Sequence, residues 1–142
     1  MSEQLMVAVE LINQKVQFRG VAGNHPAIML DYVPPLGDGQ GYTPLELLLM
    51  SLATCAGATI VTLSRRMHKT VAGLQVQAHG LRRNSHPICF QRITLEFALI
   101  SPDTVAADMD KALHLAEETY CPVWAMLKGN VEVRTEYRIT KD

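Results

Sequence analysis

Residues 43–66 read TPLELLLMSLATCAGATIVTLSRR, and the fold follows from how this stretch is understood. Thr43 is a good N-cap, Pro44 suits the first helical position, and Glu46 stands three residues after Thr43 as a capping box requires. No residue from Leu47 to Ser64 is charged, and Arg65, Arg66 and Lys69 then suit the negative end of a helix dipole. The stretch predicts one helix running to about Met67. Its 18 uncharged residues reach the lower limit for a membrane span. Ser51, Thr54, Thr59, Thr62 and Ser64 dilute it, however, and Gly57 with several alanines offers little bulk to lipid. The better expectation is a central helix buried on nearly all sides, with Cys55 in its middle.

Before this helix the pattern alternates: Leu5, Val7 and Val9, then Val16 and Phe18, then residues 27–30. These read as short strands, with turns at Ile12 to Gln14 and Gly20 to Pro26. Asp31 to Tyr42 is a Pro/Gly-rich loop, either a lid or a plain connection. After the helix, Leu74, Val76 and Ala78, and then Ile93, Leu95, Phe97 and Leu99, alternate with other residues as a hairpin turning at Arg82 to Pro87. From Thr104 the period is helical again, through Val105, Met109, Ala112, Leu113 and Ala116, with Asp103 or Thr104 as cap. Pro122 stops or kinks this helix at Cys121, and Trp124 to Lys128 adds another turn or two. Val131, Val133, Thr135, Tyr137 and Ile139 form a last strand. The order predicts an α+β fold with mainly antiparallel sheet around long helices, in one domain over 1–142. A helix apolar all round needs cover on every side, so a homodimer sharing its helices is expected.

Composition narrows the function classes. A chain of 142 residues with 48% apolar and 19% charged residues is that of an ordinary globular protein. The net charge of −1 provides no footprint for nucleic acid or an anionic membrane. Three cysteines without Cys-x-x-Cys argue against a secreted disulfide scaffold. Met1-Ser2-Glu3-Gln4 does not begin a signal peptide, which makes a reducing cytoplasm the expected location. No phosphate loop, Gly-x-Ser-x-Gly or zinc spacing is present, so no cofactor or metal is expected. His114, Glu118 and Cys121 would share one face, an arrangement that a polar outer surface explains better than a metal. The other histidines are scattered, and Cys89 reads as a packed thiol opening a strand.

The pattern Gly41-Tyr42-Thr43-Pro44-Leu45-Glu46-Leu47-Leu48-Leu49 … Cys55, with Tyr120-Cys121-Pro122-Val123 following 66 residues after Cys55, resembles the OsmC/Ohr family. The order of segments agrees over essentially the whole chain. The resemblance implies an OsmC-like fold, an intertwined homodimer with sites at the subunit interface, and peroxide reduction by two cysteines in oxidative-stress defence. It implies that Cys55 is the peroxidatic thiol, oxidised to a sulfenic acid by an organic hydroperoxide or hydrogen peroxide. Cys121 would resolve that acid as a disulfide. An external thiol, such as a dithiol of the lipoyl kind, would then restore both.

The family's peroxidases place an acid ten residues before the first cysteine, where this chain has Leu45. Glu46 is the neighbouring candidate, but it lies nine residues before Cys55, about 180° around an ideal helix. Capping accounts for it without catalysis. The family also brings an N-terminal arginine to the thiolate; Arg19 is the only arginine before Arg65, on a face that also suits solvent. The chain is therefore similar to the less characterised branch of the family. The alternative reading is a non-catalytic or redox-responsive dimer that binds a small apolar ligand at its interface.

Overall fold

The capping signals at Thr43 are used as read. In the computed structural model, which describes residues 3–141, the Thr43 amide donates to Glu46 Oε1 at 2.8 Å. The Glu46 amide donates in return to Thr43 Oγ1 at 3.2 Å. Helix α1 then runs from Pro44 to Arg66. It ends at His68, whose φ of 61° lies in the left-handed region, and the Lys69 amide reaches back to the Ser64 carbonyl at 2.9 Å. Glycine is the usual residue for such a turn because a Cβ crowds the following carbonyl.

The chain divides into two compact units, residues 1–48 and 49–142. The first holds strands β1 (Ala8–Leu11), β2 (Phe18–Val21) and β3 (Ile28–Leu30), an antiparallel meander in that order. The loop after β3 is organised by one buried carboxylate. Asp31, 1% exposed, accepts the Tyr32 amide at Oδ1 (2.8 Å) and the Asp38 and Gln40 amides at Oδ2 (3.2 and 3.0 Å). Gly37 is required here, since a Cβ would collide with that carboxylate and with the Tyr32 backbone. The amides hold the Asp31 carboxyl below its ordinary value, the one from Gln40 most strongly, against the opposing effect of burial.

The second unit holds strands β4 (Gly73–Arg82), β5 (Phe90–Ile100) and β6 (Glu132–Thr140), with helices α2 (Ala106–Leu115) and α3 (Pro122–Leu127) between β5 and β6. Strands β4 and β5 form the expected hairpin, with Leu74 opposite Leu99 and Val76 opposite Phe97. Strand β6 pairs with β5 in parallel, because the chain between them crosses over through the helices. Three of the four pairings among the described residues are antiparallel, so the fold is α+β with a mainly antiparallel character.

Alternation on β5 buries Ile93, Leu95, Phe97 and Leu99, while Leu52, Ala56, Ile60 and Leu63 of α1 and Met109, Ala112 and Leu113 of α2 complete the core. Helix α1 passes so near β4 at Gly57 that a Cβ there would stand 3.2 Å from Val76 Cγ2. By length and composition α1 could cross a membrane, with mean hydropathy 1.9 in its most apolar window; 33% of that window is buried in the protein. Burial on nearly all sides is thus not observed within one chain: Met50, Thr54, Ala58 and Thr62 form an exposed stripe.

Two local expectations are corrected. Neither Asp103 nor Thr104 caps α2. Val105 holds that position, and its amide donates to Asp108 Oδ2 at 2.9 Å. Asp103 instead accepts the Thr70 amide (2.8 Å), and Thr104 shares a 2.7 Å hydrogen bond with Ser101, which together build the turn before the helix. Cys89 is exposed, not packed, because the next residue, Phe90, takes the inward position and successive strand residues face opposite ways.

Three outcomes are expected from this packing. Gly57→Leu forces α1 off β4 and lowers the unfolding free energy by about 2 kcal/mol in urea titrations. His68→Gly relieves the left-handed turn and raises it by roughly 1 kcal/mol. The Asp31 carboxyl is depressed in the fold, so its contribution is fully present above its unfolded value near ~4 and is lost as pH falls through the lower folded value. The stability gap between the wild type and Asp31→Asn therefore closes in acid, as urea midpoints measured against pH would show.

Candidate thiol site

Cys121 owes its position to a break in the helix. Residues Ala116–Tyr120 form one π-helical turn, closed by the Cys121 amide donating to the Ala116 carbonyl at 3.0 Å. Pro122 cannot continue a helix inward but is well suited to begin one, and it opens α3. Cys121 between them is extended, with φ −92° and ψ 102°, as a residue before proline prefers. The side chain is 2% exposed, and the Val123 and Trp124 amides at the start of α3 donate to its sulfur.

The Cys121 thiol neighbours Cys55 of α1 closely enough for the two sulfurs to influence each other's charge. Its pKa is pushed up to about 11, first by burial, then by the neighbouring Cys55 sulfur, with the two amides opposing. Cys121 therefore stays protonated at neutral pH. Cys55 is half-buried and opens onto a cavity of about 320 Å³. Ala58, Thr59, Thr62, Leu63 and Arg66 line it with Cys55, at the three- and four-residue steps of one helix face, and Tyr120 closes one side. The Thr59 hydroxyl is turned back onto the Cys55 carbonyl at 3.0 Å, which leaves the wall largely apolar.

Of the residues singled out in the sequence, the structure brings Cys55 and Cys121 together. Glu46 spends its carboxylate on the Thr43 amide. Arg19 is exposed on β2, in register with Glu10 and Met29. Arg66 was assigned only to the helix dipole, yet it lines the cavity with Cys55; the eleven-residue spacing, close to three turns, is the signal that could have found it. His114, Glu118 and Cys121 do not converge: His114 is exposed, Cys121 is buried, and Glu118 pairs with Lys128 at 2.8 Å. Among the described residues no group of histidine, cysteine and carboxylate side chains is arranged to hold a metal.

Comparison with known proteins agrees with the fold. The family model described as OsmC-like protein matches residues 37–136. A hypothetical protein from Aquifex aeolicus VF5 is similar over 99% of both chains, at 23% identity and a TM-score of 0.86. An OsmC-like protein from Mycoplasma pneumoniae also covers 99% of each, at 21% identity and 0.84. An organic hydroperoxide resistance protein from Legionella pneumophila is similar over 95% of this chain and 96% of its own, at 14% identity and 0.73. Among curated protein sequences none matches. The family model spans more than half of the chain and the fold agrees from end to end: the chain belongs to the OsmC-like protein family.

Proposed function

We propose that this protein is a thiol-dependent reductase of organic hydroperoxides or hydrogen peroxide, serving defence against oxidative stress. The observation that carries the reading is the contact between a cavity-facing thiol, Cys55, and a buried thiol held protonated, Cys121. The Cys55 thiolate attacks the terminal peroxide oxygen, the O–O bond breaks, and the alkoxide leaves as the alcohol after taking a proton. Cys55 is then a sulfenic acid. The Cys121 sulfur displaces its hydroxyl as water, which forms a Cys55–Cys121 disulfide. An external dithiol reduces this bond and is itself oxidised.

The asymmetry of the two environments supports this order. Cys121 is shielded from the cavity and keeps its proton, whereas Cys55 opens onto the cavity. Arg19, with no partner among the described residues, is the candidate for the arginine that such chemistry places near the thiolate. Glu46 is assigned to capping, with a catalytic part left to experiment. The exposed stripe of α1, and Val7, Val9 and Leu11 exposed at 70%, 57% and 51%, support a homodimer in which the chain acts as one domain. Free thiols at Cys55, Cys89 and Cys121 suit a reducing cytoplasm.

Reduced protein mixed with sub-stoichiometric cumene hydroperoxide is expected to give a Cys55–Cys121 disulfide by peptide mass spectrometry. Cys55→Ser abolishes it, and Cys121→Ser stops at a sulfenic acid that dimedone traps on Cys55. Persistent free thiols with peroxide unconsumed would leave a ligand-binding protein instead. Arg19→Met is expected to lower kcat/KM by roughly tenfold, as loss of one electrostatic contact to the reacting group would, whereas Glu46→Gln leaves turnover unchanged. A Cys89→Ser background permits one further check by thiolate absorbance. Replacing Cys55 with alanine removes both contributions of that sulfur to the Cys121 shift but not burial, so Cys121 titrates below about 11.

A further inference from the structure

Lys128, the residue that caps the end of α3, folds back onto the π-helical turn that precedes Cys121. Its Nζ lies 2.8 Å from Glu118 Oε1 and 3.3 Å from Glu117 Oε2. The hydrogen bond from Lys128 is the first cause holding the Glu118 carboxyl below its ordinary value, and the same bond is the first cause raising the Lys128 ammonium. One cation thus closes a loop between residues ten apart, with Cys121 inside it. Within the loop the backbone ties Cys121 both ways. Its amide donates to the Ala116 carbonyl and its carbonyl accepts the Ala125 amide, each at 3.0 Å. Neither bond sets the angle between the π-turn and α3, because the extended residue joining them turns about its own φ and ψ. Trp124, 3% exposed, seats the inner face of α3, and Lys128 joins the two elements on the side toward solvent.

We propose that Lys128 is a positioning residue for Cys121, holding α3 against the π-turn so that the Cys121 sulfur stays aimed at Cys55. This role rests on the peroxide-reductase reading and concerns its second step. There the Cys121 sulfur attacks the sulfur of the Cys55 sulfenic acid. The S–O bond breaks as the S–S bond forms, and the hydroxyl leaves with the Cys121 proton as water. The displacement needs the incoming sulfur behind the S–O bond, so its rate follows how well the break at Cys121 is held. The Val123 and Trp124 amides, which favour negative charge on the Cys121 sulfur, move with α3 and are kept in place by the same clamp. The first step draws on Cys55 and its cavity, and Lys128 leaves it untouched. Exposed ion pairs suit this task because they are weak enough to let α3 yield as the two sulfurs draw together.

The experiment follows both thiols in a Cys89→Ser background. Reduced protein is mixed with one equivalent of cumene hydroperoxide, quenched with dimedone at successive times and mapped by mass spectrometry. In Lys128→Met the Cys55 sulfenic acid is expected to form at the unaltered rate and the disulfide roughly threefold more slowly, the scale of exposed ion pairs. Lys128→Arg restores the rate, and Lys111→Met, which removes a like charge from α2, leaves both steps alone. A second readout needs no peroxide. With Cys55→Ala added, Cys121 is the one remaining thiol, and its reaction with the aromatic disulfide DTNB is expected to quicken roughly threefold in Lys128→Met. Raised salt quickens that reaction where Lys128 is present and leaves Lys128→Met unchanged. An unaltered disulfide rate, equal slowing of both steps, or unaltered Cys121 reactivity overturns the proposal. If no variant forms a sulfenic acid, the reductase reading fails by itself, and Cys121 reactivity alone decides for or against the clamp.

Discussion

The close approach of α1 to β4 at Gly57 is the constraint on which the thiol-bearing unit depends. Glycine lets the helix come that near Val76 and Leu74, since a Cβ would stand 3.2 Å from Val76 Cγ2 and force it to give way. Ala56 and Ile60, on either side of that contact, are fully buried, and so the face of α1 toward the sheet is set. Cys55 is adjacent to that face. It is therefore neither sealed in the core nor free on the outer stripe, and this intermediate position allows a thiol to meet both a buried partner and a cavity.

The partner is delivered by a second constraint, one of backbone hydrogen bonding. A helix running on from α2 without interruption would carry residue 121 past on a regular spiral. The π-helical turn inserts an extra residue into that spiral, and Pro122 removes the next donor, so Cys121 leaves helical geometry and turns inward. The amides of Val123 and Trp124 that the break leaves unpaired find an acceptor in the Cys121 sulfur. One local irregularity thus sets the place, burial and hydrogen bonding of the second thiol.

These two constraints make the sulfurs chemically unequal although they are neighbours. Burial and the neighbouring sulfur hold the proton on Cys121, while the cavity exposes Cys55 to whatever enters. Arg66, from the same helix, lines that cavity together with Cys55. Where the resemblance places an acid, ten residues before the first cysteine, this chain has Leu45, and Glu46 closes the first turn of the helix.

What depends on residues close together in the chain was legible without the structure. The capping box at Thr43 and Glu46, the length of α1, the alternation on β5 and the break at Pro122 all rest on hydrogen bonds or side-chain periods spanning a few residues. The OsmC-like motifs suggested which cysteines would pair, although neither spacing nor composition could. Tertiary structure decided the rest. It ran β6 parallel to β5, put Cys89 outside and Phe90 inside, and gave the capping role at α2 to Val105 and not to Asp103 or Thr104. It also placed Arg66 in the cavity. Each of these turns on which distant segment is packed opposite, and a linear pattern carries the face of an element but not the identity of what will cover it.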